Sequence, residues 1–308
     1  MNKKLNRGVF FLLLVILIPV FTTRFMNSAG GIAERSAESE KCYIISGQEK
    51  IPLEEYLTGA VAYYMPPDYE DEAYKTMAVL LRTYVIGQMG EDSEIKEEQL
   101  TISRCSMEEM EVAFGEQFLH TYSRYQRAVN ATRGELASYD GKLIEPYFHQ
   151  VSAGTTNSLN GYPYLKAVDS SQDIQAKNYL SLLTVPVEEF VSGLLKAADA
   201  KEDIFWKTGT TAEELMSQIT FHMREGDYVQ SVVWQETEIK AVKIQEAFSL
   251  PSTAFRFEAY EGNIRIMTKG LGHGIGLSLY GAARMAEEGK NYREILTYYY
   301  TNITVSGE

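Results

Sequence analysis

A chain of 308 residues with an apolar share of 45% is long enough for one large domain or two modest ones around a sizeable core. Its formal net charge of −13, with no basic run after the N-terminus, excludes a nucleic-acid surface and fits an anionic surface poorly. Two cysteines, Cys42 and Cys105, make no disulfide framework: one bridge in an oxidising compartment is open to them, and two unpaired thiols is the preferred reading.

In chain order, Lys3, Lys4 and Arg7 precede the apolar run Val9–Phe21. A basic flank before a short apolar run predicts a secretory signal or a signal anchor over residues 1–26, with an uncleaved anchor the preferred reading. The positive end then faces the cytoplasm, which puts the rest of the chain outside the cell membrane. Residues 27–41 are small, polar and charged and read as a tether, so the globular part spans 42–308. Tyr43–Ile45 reads as a strand turned by Gly47. Leu53, Leu57, Val61 and Tyr64 mark one face of a helix that Pro66-Pro67 ends. A second helix from Glu70 to Gly87 carries Ala73, Met77, Leu80, Leu81 and Tyr84. Its Arg82 sits among apolar neighbours, where a lone charge is costly. That predicts a fixed carboxylate or carbonyl partner, with substrate contact as the competing role. Glu91–Glu116 is acidic and without period, and reads as loop and short helix. Phe118–Thr132 reads as a helix, and Glu135–Tyr139 with Lys142–His149 flanks the hairpin dipeptide Asp140-Gly141. His149 closes that hairpin before the small polar loop Ser152–Asn157, a place where sites form; a satisfied structural histidine is the competing reading.

Further on, Thr210–Glu213 forms a capping box that predicts a helix to about Met223. Val229–Trp234 and Ile239–Ile244 read as strands, and Phe255–Tyr260 with Ile264–Thr268 as a hairpin about Glu261-Gly262-Asn263. Gly270–Gly281 then packs glycines at every second position up to Gly276, a density that calls for backbone pressed against a ligand or another strand. His273 lies inside the run, with the hydroxyls of Ser278 and Tyr280 downstream. No Gly-Lys-Ser/Thr follows, so this is not a phosphate loop. Ala282–Glu288 and Tyr292–Tyr300 read as helices with Gly289 as the cap between them. The order is mixed, giving an α+β fold of helices and antiparallel hairpins around one core. His120 and His222 lie in ordinary helical sequence and read as structural. No His-x-x-x-His pair and no cysteine accompanies His149 or His273, so no metal or cofactor is expected. The 21 tyrosines supply rings with a hydroxyl handle, which suits sugars as well as cores.

Three blocks in order carry a family signature. Ile51-Pro52-Leu53-Glu54-Glu55-Tyr56-Leu57 leads through Met65-Pro66 to Ala78–Tyr84; Phe148-His149 leads to Ser152-Ala153-Gly154-Thr155; Gly272-His273-Gly274-Ile275-Gly276-Leu277-Ser278 leads to Tyr280-Gly281-Ala282. Together they resemble the SpoIID/LytB family, over roughly Ile45 to Val305. The resemblance implies a membrane-anchored, extracytoplasmic protein of sporulation and engulfment that acts on denuded peptidoglycan glycan strands. It implies an amidase and a membrane scaffold as partners, and Arg82, His149, Ser152, His273, Ser278 and Tyr280 as substrate contacts. Family members of the sporulation type are lytic transglycosylases, in which one carboxyl group serves as acid and then base. The resemblance places that glutamate immediately before Met-Pro, where this chain has Tyr64. A phenol, with an ordinary pKa near 10, does not cycle as a carboxyl does at neutral pH. Leu279 likewise stands where the family usually has glutamine. The expected outcome is a glycan-binding pseudoenzyme; an active lytic transglycosylase using a displaced carboxylate is the alternative.

Overall fold

The structure, a computed structural model, describes residues 31–32, 34–37, 39–198 and 206–306. The expected anchor at 1–26 and the start of the expected tether lie outside the described residues. Among the described residues no helix is long and apolar enough to cross a membrane. Helices and small, mostly antiparallel sheets alternate irregularly, as the α+β reading expects. They do not share one core, however. The chain divides into two compact units, the first running to Pro146 and taking back the residues from Asn302, the second spanning Tyr147–Thr301.

In unit 1, β1 (Tyr43–Ser46) turns at Gly47 into antiparallel β2 (Glu49–Pro52). Helix α1 (Leu53–Tyr64) starts directly after Pro52, with Glu54 and Glu55 in its first turn, where the positive end of the helix favours acids. Its apolar positions Leu53, Leu57, Ala60 and Val61 are buried. Met65 leaves the helix in extended conformation, as a residue before proline must. Helix α2 (Asp71–Met89) buries Ala73, Met77, Leu80 and Leu81 and closes at Gly90, whose φ is +67°. Two elements lie in the acidic stretch read as loop and short helix: β3 (Glu94–Lys96), parallel to β1, and α3 (Met107–Phe114), capped by a Ser106/Glu109 box. Helix α4 (Phe118–Ala131) packs on α1 and α2. The hairpin β4 (Leu136–Tyr139) and β5 (Lys142–Leu143) turns at Asp140-Gly141, both with positive φ, as a two-residue turn matched to strand twist requires. The strand Thr304–Ser306 pairs antiparallel with β4 from the other side.

Unit 2 opens on β6 (Phe148–His149). The expected strand Lys142–His149 is therefore interrupted: only its two ends pair, in different sheets, with Pro146 between them. The sequence reading named neither β7 (Leu180–Val185) nor α5 (Val187–Ala197), although Val187, Phe190, Val191 and Leu194 repeat at helical spacing and are buried. The helix expected from Thr210 to Met223 stops early. Helix α6 covers Ala212–Ser217, and β8 (Ile219–Met223) follows because its β-branched and aromatic residues find a partner in β9 (Val229–Trp234). His222 thus sits on a strand rather than a helix, near Ser231 and Glu238. The strand expected at Ile239–Ile244 is β10 (Thr237–Lys240) running into α7 (Ala241–Phe248). Strands β11 (Phe255–Tyr260) and β12 (Asn263–Lys269) form the expected hairpin, and β7 joins the other edge of β12. Phe190, Leu194, Trp234, Phe255 and Ile266 fill the core beneath these sheets. After the glycine run come β13 (Leu277–Ser278), α8 (Leu279–Glu287) and α9 (Tyr292–Tyr299).

Candidate functional site

Residues 270–278 thread between segments of the 147–157 stretch. Strand β13 pairs in parallel with β6, Leu271 bridges Val151, and Asn157 bridges Ile275. Of the two reasons the sequence offers for the glycines, the close approach of another strand holds here. Gly272 has φ +109°, and a Cβ there would meet the Cβ of His149 at 2.8 Å. Gly276 has φ +70°, and a Cβ there would overlap the Tyr147 carbonyl oxygen, which accepts the next amide, Leu277 N–H, at 3.0 Å. Only glycine satisfies both demands.

This threading brings His149 and His273 together, their ring centroids 5.7 Å apart, and the backbone of one residue, Ile275, holds both. His149 Nδ1 lies 3.2 Å from the Ile275 carbonyl oxygen, which can only accept, so Nδ1 carries the proton. Ile275 N–H donates to His273 Nδ1 at 3.0 Å, so His273 keeps its proton on Nε2. Both rings are neutral. Burial first, then the neighbouring His273 ring, hold the His149 pKa at about 3 against the raising effect of the Ile275 carbonyl. Partial desolvation of the ring likewise lowers that of His273, although the Phe148 carbonyl opposes it. His149 is 4% exposed and its Nε2 has no hydrogen-bond partner among the described residues. His273 stands at the surface, edge-on to Tyr147 at 5.9 Å, and Tyr147 is edge-on to Tyr162 at 5.8 Å. These half-buried tyrosines, which the sequence reading did not assign to the site, extend His273 into an aromatic ledge.

A neutral buried histidine makes stability depend on pH. The unfolded chain binds a proton near pH 6.5 that the folded chain refuses until about pH 3, so the stability present above 6.5 is lost as pH falls between these values. Unit 2 is expected to lose about 1.4 kcal/mol per pH unit from this group below pH 6. Trp206 and Trp234 both lie in unit 2, so their fluorescence in urea titrations reports it. His149→Phe is expected to flatten the slope between pH 6 and 4; an unchanged slope would remove His149 as its source.

Ser152 and Ser278 are both 0% exposed. Ser152 Oγ accepts Gly154 N–H at 3.1 Å, and Ser278 Oγ caps α8 by accepting Gly281 N–H at 3.1 Å. Between them sits a group absent from the sequence reading, Asp173, also 0% exposed, whose Oδ2 accepts Ser152 N–H at 2.6 Å. Burial pushes its carboxyl up, and hydrogen bonds from Ser152, Ser278 and Ser170 work against that. Its stretch, Ser170–Gln175, gives no signal beyond a polar loop. Tyr280 is half-buried, with its backbone N–H on the Gln150 carbonyl at 3.0 Å. In unit 2, then, His149, Ser152 and Ser278 are buried, while His273 is exposed and Tyr280 half-buried.

Arg82 and Tyr64 belong to unit 1. Arg82 is 0% exposed and grips Glu54 with both edges, Nε to Oε1 at 2.9 Å and Nη2 to Oε2 at 2.6 Å. Its remaining N–H groups point at the carbonyls of Thr132 at 2.7 Å and Val129 at 3.1 Å, at the end of α4. Its predicted fixed partners are thus both a carboxylate and carbonyls, and no edge of the guanidinium faces solvent for the substrate contact that the resemblance implies. Tyr64 ends α1, half-buried, and its hydroxyl accepts Ser103 N–H at 3.1 Å. Tyr84 of α2 does the same for Thr101 N–H at 2.9 Å. Two tyrosines thus clasp one loop, and Cys105 N–H on the Gly59 carbonyl at 3.0 Å fastens its end. Burial pushes the Tyr64 phenol above its ordinary pKa, against the pull of the Ser103 amide. Among the described residues no group of three or more His, Cys, Asp or Glu side chains is placed to hold a metal ion.

Comparison with known proteins accords with these blocks. The profile of the stage II sporulation protein family, SpoIID, matches residues 45–139. Stage II sporulation protein D of Bacillus amyloliquefaciens is 31% identical over 271 residues, covering 84% of this chain and 75% of that protein. Its counterpart from Bacillus subtilis (strain 168) is 30% identical over the same shares. The amidase enhancer of Bacillus subtilis (strain 168) is 27% identical over 298 residues, covering 81% of this chain and 40% of that protein. With identity at this level across most of both chains, the protein belongs to the stage II sporulation protein D family.

Proposed function

We propose that this protein serves cell-wall remodelling in sporulation by binding peptidoglycan glycan strands without cutting them through the acid–base carboxyl expected of its family. The observation that carries the reading is Tyr64. A tyrosine occupies the position before Met65-Pro66, its hydroxyl is engaged by the Ser103 amide, and burial moves its pKa away from neutrality. Such a phenol can anchor a loop or a sugar hydroxyl, but it cannot donate and retake a proton at pH 7 as a raised carboxyl does. On the binding side, the exposed His273 and the Tyr147–Tyr162 ledge offer ring faces and edges to pyranose C–H groups, with Tyr280 adding a hydroxyl. The basic, apolar N-terminal segment supports a place at the outer face of the cell membrane, as a single-anchor protein. The likeness to an amidase enhancer supports an amidase as a working partner; the family resemblance alone suggests a membrane scaffold as the second.

The test incubates the protein with denuded glycan strands and reads the products by mass spectrometry for 1,6-anhydro ends. The wild type is expected to pull down strands and to produce no such ends. Tyr64→Glu restores a carboxyl at the end of α1 and is expected to produce them. Anhydro ends from the wild type would sink the binding-only reading and turn attention to a displaced carboxylate such as the exposed Asp68.

A further inference from the structure

Unit 1 holds a cavity of about 500 Å³ that neither the wall chemistry nor the family blocks account for. The size suits a small molecule. Its walls come from the last turns of α2, the end of the β4–β5 hairpin and residues 31–35. Two cationic side chains line it, Arg35 and Lys142, against one acid, Glu145. Neither cation has a hydrogen bond or ion pair among the described residues. In a chain of net charge −13, two unpaired cations on one concave wall are a local inversion of sign. Glycine at position 87 is a second observation. Gly87 lies in the last turn of α2 and lines the cavity, and a Cβ built there meets nothing within 4 Å. Packing does not require glycine at this point, and helix propensity disfavours it. Gly87 is exposed, and without a side chain it leaves this part of the cavity wall open. Ile32 and Leu143 add apolar wall.

We propose that this cavity binds a small anionic ligand, its carboxylate or phosphate group drawn by Arg35 and Lys142 and its body lying against Ile32 and Leu143. The site rests on unit 1 alone and stands apart from the glycan reading, so either can fail without the other. The test is calorimetric titration of the full-length protein with three probes: benzoate, which carries a carboxylate; benzamide, its uncharged counterpart; and inorganic phosphate. At least one anion is expected to bind and benzamide is not, and the anion that binds identifies the group as carboxylate or phosphate. The double variant Arg35→Ala/Lys142→Ala is expected to weaken that binding about tenfold or more, since each lost charge-assisted contact is worth roughly that factor. Gly87→Leu places a side chain on the cavity wall and is expected to weaken binding with no fall in Tm. Absence of binding by either anion at millimolar concentration overturns the proposal. So does equal binding of benzoate and benzamide, or binding that survives both a folded Gly87→Leu variant and the double charge removal. Were Gly87→Leu to misfold, the double variant decides, because both of its positions retain solvent exposure.

Discussion

Glu54→Ala is expected to destabilise unit 1 by about 3–5 kcal/mol, the range for breaking a buried ion pair by removing one partner. The size follows from what Arg82 would lose. Its guanidinium is 0% exposed, so no water replaces the two carboxylate contacts at 2.9 and 2.6 Å. The carbonyls of Thr132 and Val129 remain, but they carry partial charge only. Arg82→Ala is expected to be at least as severe, because it also strips the end of α4 of the donors that satisfy its last carbonyls. Arg82→Lys restores the charge but not the two-pronged geometry, and is expected to recover only part of the loss. Both tryptophans lie in unit 2, so their fluorescence would miss the event. Hydrogen exchange in α1, α2 and α4 is the measurement that sees it. Protection unchanged in the Glu54→Ala variant would mean that the pair is replaceable and that another contact ties these helices.

The same pair shows what the sequence could and could not reveal. A charge at a helical apolar position implied a fixed partner, and that inference needed no tertiary knowledge. Which carboxylate would serve was not legible, because Glu54 looks like an ordinary acid in the first turn of α1. The major hairpins and the long helices were legible for the same reason: period and turn chemistry are local. The β8 segment was misread because a capping box announces where a helix begins and says nothing about where it stops. Ile219–Met223 turned to strand when β9 offered a ladder. The division into two units was not visible, since no linker composition marks Pro146. At the site, His273 and the glycines were found from density alone. Asp173 and the tyrosine ledge were missed, because their roles exist only once distant segments meet.

Gly276→Ala is expected to destabilise unit 2 by more than about 3 kcal/mol, and the reason can be separated into two parts by a control. Alanine at φ +70° costs roughly 1 kcal/mol through its own backbone. The remainder comes from the Tyr147 carbonyl, which a Cβ would overlap and which is the acceptor for Leu277 N–H at 3.0 Å. Relieving that overlap pushes β13 off β6 and moves the Ile275 backbone that fixes the tautomers of His149 and His273. Gly289→Ala isolates the first part, because Gly289 has φ +86° and a Cβ there meets nothing within 4 Å. Tryptophan fluorescence in urea is expected to show a loss near 1 kcal/mol for Gly289→Ala and several times that for Gly276→Ala. Equal losses would mean that the strand can move aside freely. In that case the glycine run would be a matter of backbone conformation, and the histidine pair would not depend on the close approach that now accounts for it.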